Sequence, residues 1–310
     1  MLTLKERIVS IMICILLGII IKLNFFNSNQ NIRKVNTTKN TSNDSNSYYY
    51  DEQPSVLSPK IPKTINYKVI NIFPRKNPTV YTQGLFYYNN SIYESGGRYK
   101  KSTLTHMEWP SQNIIQQINL EGKYFAEGIA ASFTNNILYQ LTYLEREILL
   151  YSFPHLELKN KIIMPKEMKE GWGLCSGREK DEFFATDGSD KIFILKINKV
   201  INELKVISHI NITNNKKAVY RLNELIYDSN YIYCNVYLEK TILKINPNNG
   251  EVLRVYNMQP LIDYEIGNGK LTQNRLNSGD VLNGIVYIPE KKSYILTGKM
   301  WDYYYEVIFE

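Results

Sequence analysis

Histidine and cysteine are scarce in this 310-residue chain, with three of each. Cys14, Cys175 and Cys234 form no CxxC pair, and Cys14 sits in an apolar N-terminal run, so the folded part can hold at most one disulfide. A core of this size needs no covalent staple, and Cys175 and Cys234 are expected to be buried thiols. His106, His155 and His209 lie far apart, with no HxxxH or HxxE spacing, so neither a catalytic metal nor another cofactor is expected. Basic runs interleaved with aromatics are also missing. Of the net charge of +7, residues 1–63 supply eight Lys/Arg against four acids, while the remaining 29 bases nearly cancel 26 acids. That balance argues against a nucleic-acid groove. No segment reads as convincingly helical. What is present is a 44% hydrophobic composition, ample for a packed core, which excludes disorder throughout.

The N-terminus reads as an address. Lys5 and Arg7 precede fourteen residues, Ile8 to Ile21, in which only Ser10 is polar. This is a positive flank followed by an apolar stretch, which Leu23, Phe25 and Phe26 could extend towards spanning length. No small-x-small cleavage site follows, which favours an uncleaved signal anchor over residues 1–26. The expected product is a type II single-pass membrane protein of the secretory pathway with a lumenal or extracellular C-terminal domain, or a secreted protein if the segment is cleaved. Residues 27–63 are rich in Asn and Ser and are expected to form a flexible linker. Glycosylation sequons at Asn36, Asn40, Asn43, Asn89 and Asn211 lend weak support to that address in so Asn-rich a chain.

Residues 64–310 carry an internal repeat. "YTQGLFYYNNSIYESGG" (81–97) returns in altered form at 124–143, 171–189, 220–237 and 280–299: a polar or aromatic residue, then Gly or Glu, then Leu or Ile, a polar turn and a second apolar strand. From Gly84 the matching positions are Gly128, Gly173, Glu224 and Gly284, at spacings of 44, 45, 51 and 60. With further strand-like text between these hairpins, the period is that of a four-stranded propeller blade. The prediction is an all-β, five-bladed β-propeller in which the N-terminal strand, 65–73, pairs with 303–309 to close the last blade and leave no bare edge.

Antiparallel strands return to the rim they left. If the first strand of each hairpin lines the central channel, the hairpin ends bring Gln83 and Glu94, Glu127 and Tyr143, Trp172 and Asp187, Asn223 and Tyr237, and Asn283 and Lys299 to one mouth. Glycine just after each start suits strands crowded at an axis.

The words "TQGL", "EGI" followed by "YQLT", "GWGL", "ATDGS", "LNELIY", "VLNGI" and "LTGKMW" occur in order, one set per blade, over about residues 66–310. In this the chain resembles the plant and bacterial type of glutaminyl cyclases, or glutamine cyclotransferases. The resemblance implies an enzyme, an aminoacyltransferase, that converts the N-terminal glutamine of peptides or proteins to pyroglutamate with release of ammonia. It puts the catalytic carboxylate on Glu127, with Asn223 and Lys299 as further catalytic residues. Gln83, Tyr81, Phe125, Tyr143, Trp172 and Tyr237 become substrate-binding residues. Tyr81 stands where Phe is common, and Tyr143 and Tyr237 stand where tryptophans are expected; each keeps a ring and adds a hydroxyl. A monomer is expected, partnered by peptide substrates and by the membrane through its anchor.

The chemistry matches such a rim. The α-amine must lose a proton, attack its own γ-amide, and hand a proton to the departing ammonia, and one carboxylate, Glu127, can do both transfers. Enclosure by Phe125, Tyr143 and Trp172 would tune its pKa. Lys299, Asn223, Gln83 and the Trp172 indole are the candidate donors to the amide oxygen. Two rivals are weaker. "GLCSG" around Cys175 lacks the strand-to-helix turn of a nucleophile elbow. A non-catalytic propeller used as a binding platform, the principal alternative, would have no need of Glu127, Asn223 and Lys299 together at one rim.

Overall fold

In the computed structural model, which describes residues 64, 66–198 and 203–310, the repeating hairpins become four-stranded antiparallel blades. The described residues belong to one compact unit, Leu57–Glu310. The expected anchor, residues 1–26, and the whole of the expected linker, residues 27–63, lie outside the described residues.

β1 (Tyr67–Pro74) precedes the first blade, β2 (Thr82–Tyr88), β3 (Ser91–Gly96), β4 (Thr103–Glu108) and β5 (Ile114–Asn119). Blade 2 is β6 (Ala126–Ser132), β7 (Ile137–Thr142), β8 (Glu147–Ser152) and β9 (Leu158–Ile163). Blade 3 is β10 (Leu174–Ser176), β11 (Glu182–Thr186), β12 (Lys191–Asn198) and β13 (Glu203–Asn211). A short hairpin, β14 (Thr213–Asn214) and β15 (Lys217–Ala218), leads to blade 4: β16 (Leu222–Tyr227), β17 (Ile232–Val236), β18 (Thr241–Ile245) and β19 (Val252–Asn257). Two helices follow, α1 (Gln259–Asn268) and α2 (Gln273–Asn277), and then β20 (Leu282–Ile288), β21 (Ser293–Gly298) and β22 (Tyr303–Phe309). β1 pairs with β22 from Tyr67 opposite Phe309 to Pro74 opposite Tyr303, so the two ends of the domain share blade 5 as expected.

Burial explains the text of each strand. The innermost β6, "AEGIAAS", is buried along its whole length because neighbouring blades cover both of its faces, and apart from Glu127 and Ser132 its residues are small or apolar without alternation. The outermost β5, "IIQQIN", is mostly exposed and buries none of its residues fully. The tight β2–β3 turn uses Asn89 and Asn90, both at positive φ (47° and 56°), the geometry that matches strand twist in a two-residue hairpin. Five apolar clusters fill the seams between successive blades, including the seam from blade 5 back to blade 1, where Leu85 and Ile92 meet Val286 and Ile295.

Three expectations are corrected. The chain does contain helix. α1 has Pro260 in its first turn and buries Leu261, Ile262, Tyr264 and Glu265, but it lacks a side-chain N-cap and places an acid on its buried face, which obscures the apolar stripe. The hairpin and the helices account for the long spacings of 51 and 60. Glu94 does not reach the mouth either. It lies opposite Leu85 within β3, where its carboxylate accepts from Arg75 (2.7 Å), Thr82 Oγ1 (2.6 Å) and Tyr304 Oη (3.0 Å). Asp187 instead accepts from the Lys169 and Ser189 amides. Cys175 and Cys234 are buried free thiols, as expected, and burial pushes Cys175 well above the usual thiol range.

The Arg75–Glu94 pair locks the closing seam, since Arg75 Nη1 also reaches Thr82 Oγ1, Thr297 Oγ1 and the Gly298 carbonyl, each at 3.2 Å. Removing one member would strand a buried charge. Arg75→Met is expected to lower stability by about 3–5 kcal/mol in denaturant melts, and Arg75→Met/Glu94→Leu to recover most of that loss. A double variant as unstable as the single one would show that the pair is not the seam's principal lock.

Candidate active site

The site is built on a backbone irregularity repeated in every blade. In β2 the pairing slips between Thr82 and Gly84, in β6 between Ala126 and Ile129, in β16 between Leu222 and Leu225, and in β20 between Leu282 and Ile285. In blade 3, Trp172 N–H donates to the Thr186 carbonyl (3.1 Å) while Thr186 N–H donates to the Gly173 carbonyl (3.0 Å), so two residues again face one. A bulge redirects a side chain that regular alternation would aim elsewhere. The residues on these bulges include Gln83, Glu127, Trp172, Asn223 and Asn283, the five repeat starts.

Nine side chains line a cavity of about 250 Å³: Tyr81, Gln83, Phe125, Glu127, Tyr143, Trp172, Asn223, Tyr237 and Lys299. These are the nine residues singled out from the sequence. Gln83, Glu127, Asn223 and Lys299 are buried and form a polar floor, while the five aromatic residues are partly exposed and form the wall. The wall is nearly continuous. Phe125 meets Tyr81 edge-on at 6.3 Å and Tyr143 at 5.8 Å, and Trp172 meets Tyr237 edge-on at 5.6 Å. Lys299 closes the gap with its ammonium over the Tyr81 ring (5.0 Å) and the Tyr237 ring (4.8 Å).

On the floor, Gln83 Nε2 donates to Glu127 Oε1 at 3.0 Å. Burial pushes the Glu127 carboxyl well above its usual range; the Lys299 charge pulls it back, and Glu145 and Glu170 push it further up. Burial likewise lowers the Lys299 ammonium to about 8, against the pull of Glu127, Glu224 and Asp280. Burial thus disfavours the charged form of both groups. A deep carboxyl and a deep amine under an aromatic collar can move protons on a small substrate sheltered from water.

A model of the glutamine cyclotransferase family matches residues 40–309. The chain belongs to the glutamine cyclotransferase family. It is 28% identical over 245 residues to a glutaminyl-peptide cyclotransferase of Arabidopsis thaliana, spanning 77% of this chain and 70% of that protein. It is also similar to the crystal structure of Myxococcus xanthus glutaminyl cyclase, with 26% identity and a TM-score of 0.66 over 79% of this chain and 96% of that one.

Within this cyclotransferase fold, Asn283, expected at the mouth but given no role, and Glu170, which the sequence reading did not single out, both shape the cavity. Asn283 Nδ2 donates to Gln83 Oε1 (3.1 Å) and to the Thr82 carbonyl (3.0 Å), which fixes the Gln83 amide with its nitrogen towards Glu127. Its place at a repeat start was the available signal. Glu170 accepts from the Trp172 indole at 2.8 Å and lies beside the Tyr143 hydroxyl, whose pKa burial and this carboxylate raise. The hydroxyl that Tyr143 adds to its ring therefore faces an acid. Tyr81 Oη donates to the Gly279 carbonyl (3.0 Å) just after α2, tying the helical insertion to the wall.

Lys299 loses its proton near 8 in the folded chain but near 10.5 when unfolded, so the unfolded chain holds more proton across that window. The cost of burying the ammonium is complete below pH 8 and fades by 10.5. Lys299→Met is expected to raise stability below pH 8 by roughly 1–3 kcal/mol, with the advantage shrinking towards pH 10.5 in pH-resolved thermal melts. A variant less stable than wild type at pH 7 would refute this balance.

Proposed function

We propose that this chain acts as a glutaminyl-peptide cyclotransferase, with Glu127 shuttling the protons. The observation that carries the reading is the Gln83–Glu127–Lys299 floor buried within an aromatic cup. A cavity of about 250 Å³ is below the span of about 300–1,000 Å³ typical of drug-sized pockets. It suits one terminal residue with the peptide trailing out of the mouth.

Glu127, as carboxylate, removes a proton from the substrate ammonium. The neighbouring Lys299 charge lowers the pKa of that amine and eases the step. The amine nitrogen then bonds to the γ-amide carbon, the carbonyl π pair moves to oxygen, and the oxyanion collapses as the bond to nitrogen breaks. Glu127 gives that proton to the leaving nitrogen and then takes the second proton of the ring nitrogen, which departs with ammonia as ammonium, so an ammonium and an amide become a lactam N–H and NH4+. The Trp172 indole already donates to Glu170 and Gln83 Nε2 to Glu127, which leaves Asn223 and Lys299 as the donors best able to meet the oxyanion. The aromatic wall holds the side chain in its ring-forming rotamer, the conformational part of the barrier in an intramolecular attack.

The reading extends to residues outside the described region. Lys5, Arg7 and the apolar run after them support a signal anchor and a type II arrangement with the propeller lumenal or extracellular, acting as a monomer on peptide or protein N-termini. Among the described residues no helix is long and apolar enough to cross a membrane. The sequon residues Asn89 and Asn211 are exposed, as glycosylation requires.

The purified protein, given a peptide that begins with glutamine, is expected to release one ammonia per pyroglutamate formed. Glu127→Gln should reduce kcat by about 10²-fold or more with an unchanged melting curve. The pH profile of kcat/KM should rise as Glu127 and the substrate amine lose protons and fall near 8 as Lys299 does. Near-normal turnover by Glu127→Gln would remove it from the shuttle role.

A further inference from the structure

We propose that Glu224 is a positioning residue for Glu127, acting across the propeller axis through the β2 bulge and Gln83; the inference rests on the cyclisation reading and deepens it. In the repeat, four blades place Gly84, Gly128, Gly173 and Gly284 where blade 4 has Glu224. The side chain therefore enters space that the other blades leave to backbone, and it is fully buried. Its Oε1 accepts from the Leu85 amide of β2 at 2.9 Å. Blades 1 and 4 are not neighbours in the ring, so this bond crosses the axis. β2 is the innermost strand of its blade, and among the described residues β3 is its only strand partner. The bond is thus an anchor that blade 1 does not itself supply to this edge.

Leu85 lies one residue beyond the slip at Gln83 and Gly84. Gln83 is held on its other side by Asn283 and donates to Glu127. The path from Glu224 to the reactive carboxylate is then one hydrogen bond, a bulge, and a second hydrogen bond. Glu224 Oε2 is buried without a hydrogen-bond partner, so the contact with Leu85 is the anchoring bond this carboxyl makes. The titratable groups facing Glu224 are Glu127 and Lys299 together with the Cys175 and Cys234 thiols, and burial keeps its carboxyl well above the carboxylate range. A carboxyl that works by accepting one bond through Oε1 is replaceable by glutamine.

Around Glu127 the charges are Lys299, Glu145 and Glu170; Glu224 also faces Lys299 and Glu127, and Glu224→Gln, which removes any charge but keeps the acceptor, separates that electrostatic effect from the loss of the bond. Loosening Gln83 removes a donor that favours the charged form of Glu127, so its pKa must rise. Glu224→Ala is expected to lower kcat about tenfold with a smaller change in KM, and to move the acid limb of kcat/KM to higher pH. Gln83→Leu should do the same, and Glu224→Ala/Gln83→Leu should be no worse than Gln83→Leu alone. Glu224→Gln should restore kcat to within about threefold of wild type. Deuterium exchange of the Leu85 amide should quicken in Glu224→Ala and not in Glu224→Gln. If Glu224→Ala does not fold, Glu224→Met fills the same space without the acceptor and serves the same comparisons. An unshifted acid limb, losses that multiply with Gln83→Leu, or unchanged Leu85 exchange would each reject the role of Glu224 while leaving the cyclase reading standing. An inactive wild-type protein would instead reject that reading, and this inference with it.

Discussion

Crowding at the propeller axis is the constraint from which the site follows. Five inner strands converge so closely that a methyl group on Gly128 would lie 2.3 Å from the Leu174 nitrogen, and one on Gly173 would lie 2.4 Å from the Asn223 carbonyl oxygen. Inner strands cannot all continue regular pairing to their ends at that radius. Each bulges at the same repeat position, and the bulges turn one side chain per blade towards a common mouth. The polar floor is thus a product of ring closure, and the Arg75–Glu94 lock that secures the closing seam supports the site from a distance.

Chemistry enters through desolvation. Glu127 and Lys299 are both buried, and among the described residues they form no ion pair with each other. Lys299 is held over two tyrosine rings, which offer an ammonium far less than a carboxylate or water would. An arrangement chosen for stability alone would pair these charges or replace them with apolar residues. Burial instead raises the Glu127 carboxyl and lowers the Lys299 ammonium to about 8, which eases proton movement between an amine and a departing ammonia at a cost in folding free energy.

One insertion that departs from the repeat reaches the same mouth: α2 is followed by Gly279, whose carbonyl meets Tyr81 of the wall, while the β14–β15 hairpin packs on the β18–β19 turn through Thr213 and Gly250. Glu265 fastens α1 to blade 5 by accepting from the Asp302 and Tyr303 amides and the Tyr305 hydroxyl, and burial raises its carboxyl to about 7. Phe125, Tyr143, Trp172 and Tyr237 form the wall that a peptide's first residue would meet, and Glu170 joins Tyr143 to Trp172. A uniform ring thereby carries one individual rim.

The spacing of the hairpins settled the architecture and seven residues of the cavity, because a repeating fold writes the same geometric demand into the chain several times, and the family resemblance of the motifs added Tyr81 and Phe125. Tertiary structure alone decided the rest. Glu94 had the look of a rim acid, yet it sits mid-strand in a seam, since a hairpin's return position depends on a bulge that residue counting does not register. α1 was hidden because its buried face includes Glu265, an acid satisfied only by amides and a hydroxyl some forty residues away. The poise of Glu127 and Lys299 and the cross-axis bond of Glu224 arise from contacts between non-adjacent blades, whose distances and desolvation exist only once the ring has closed.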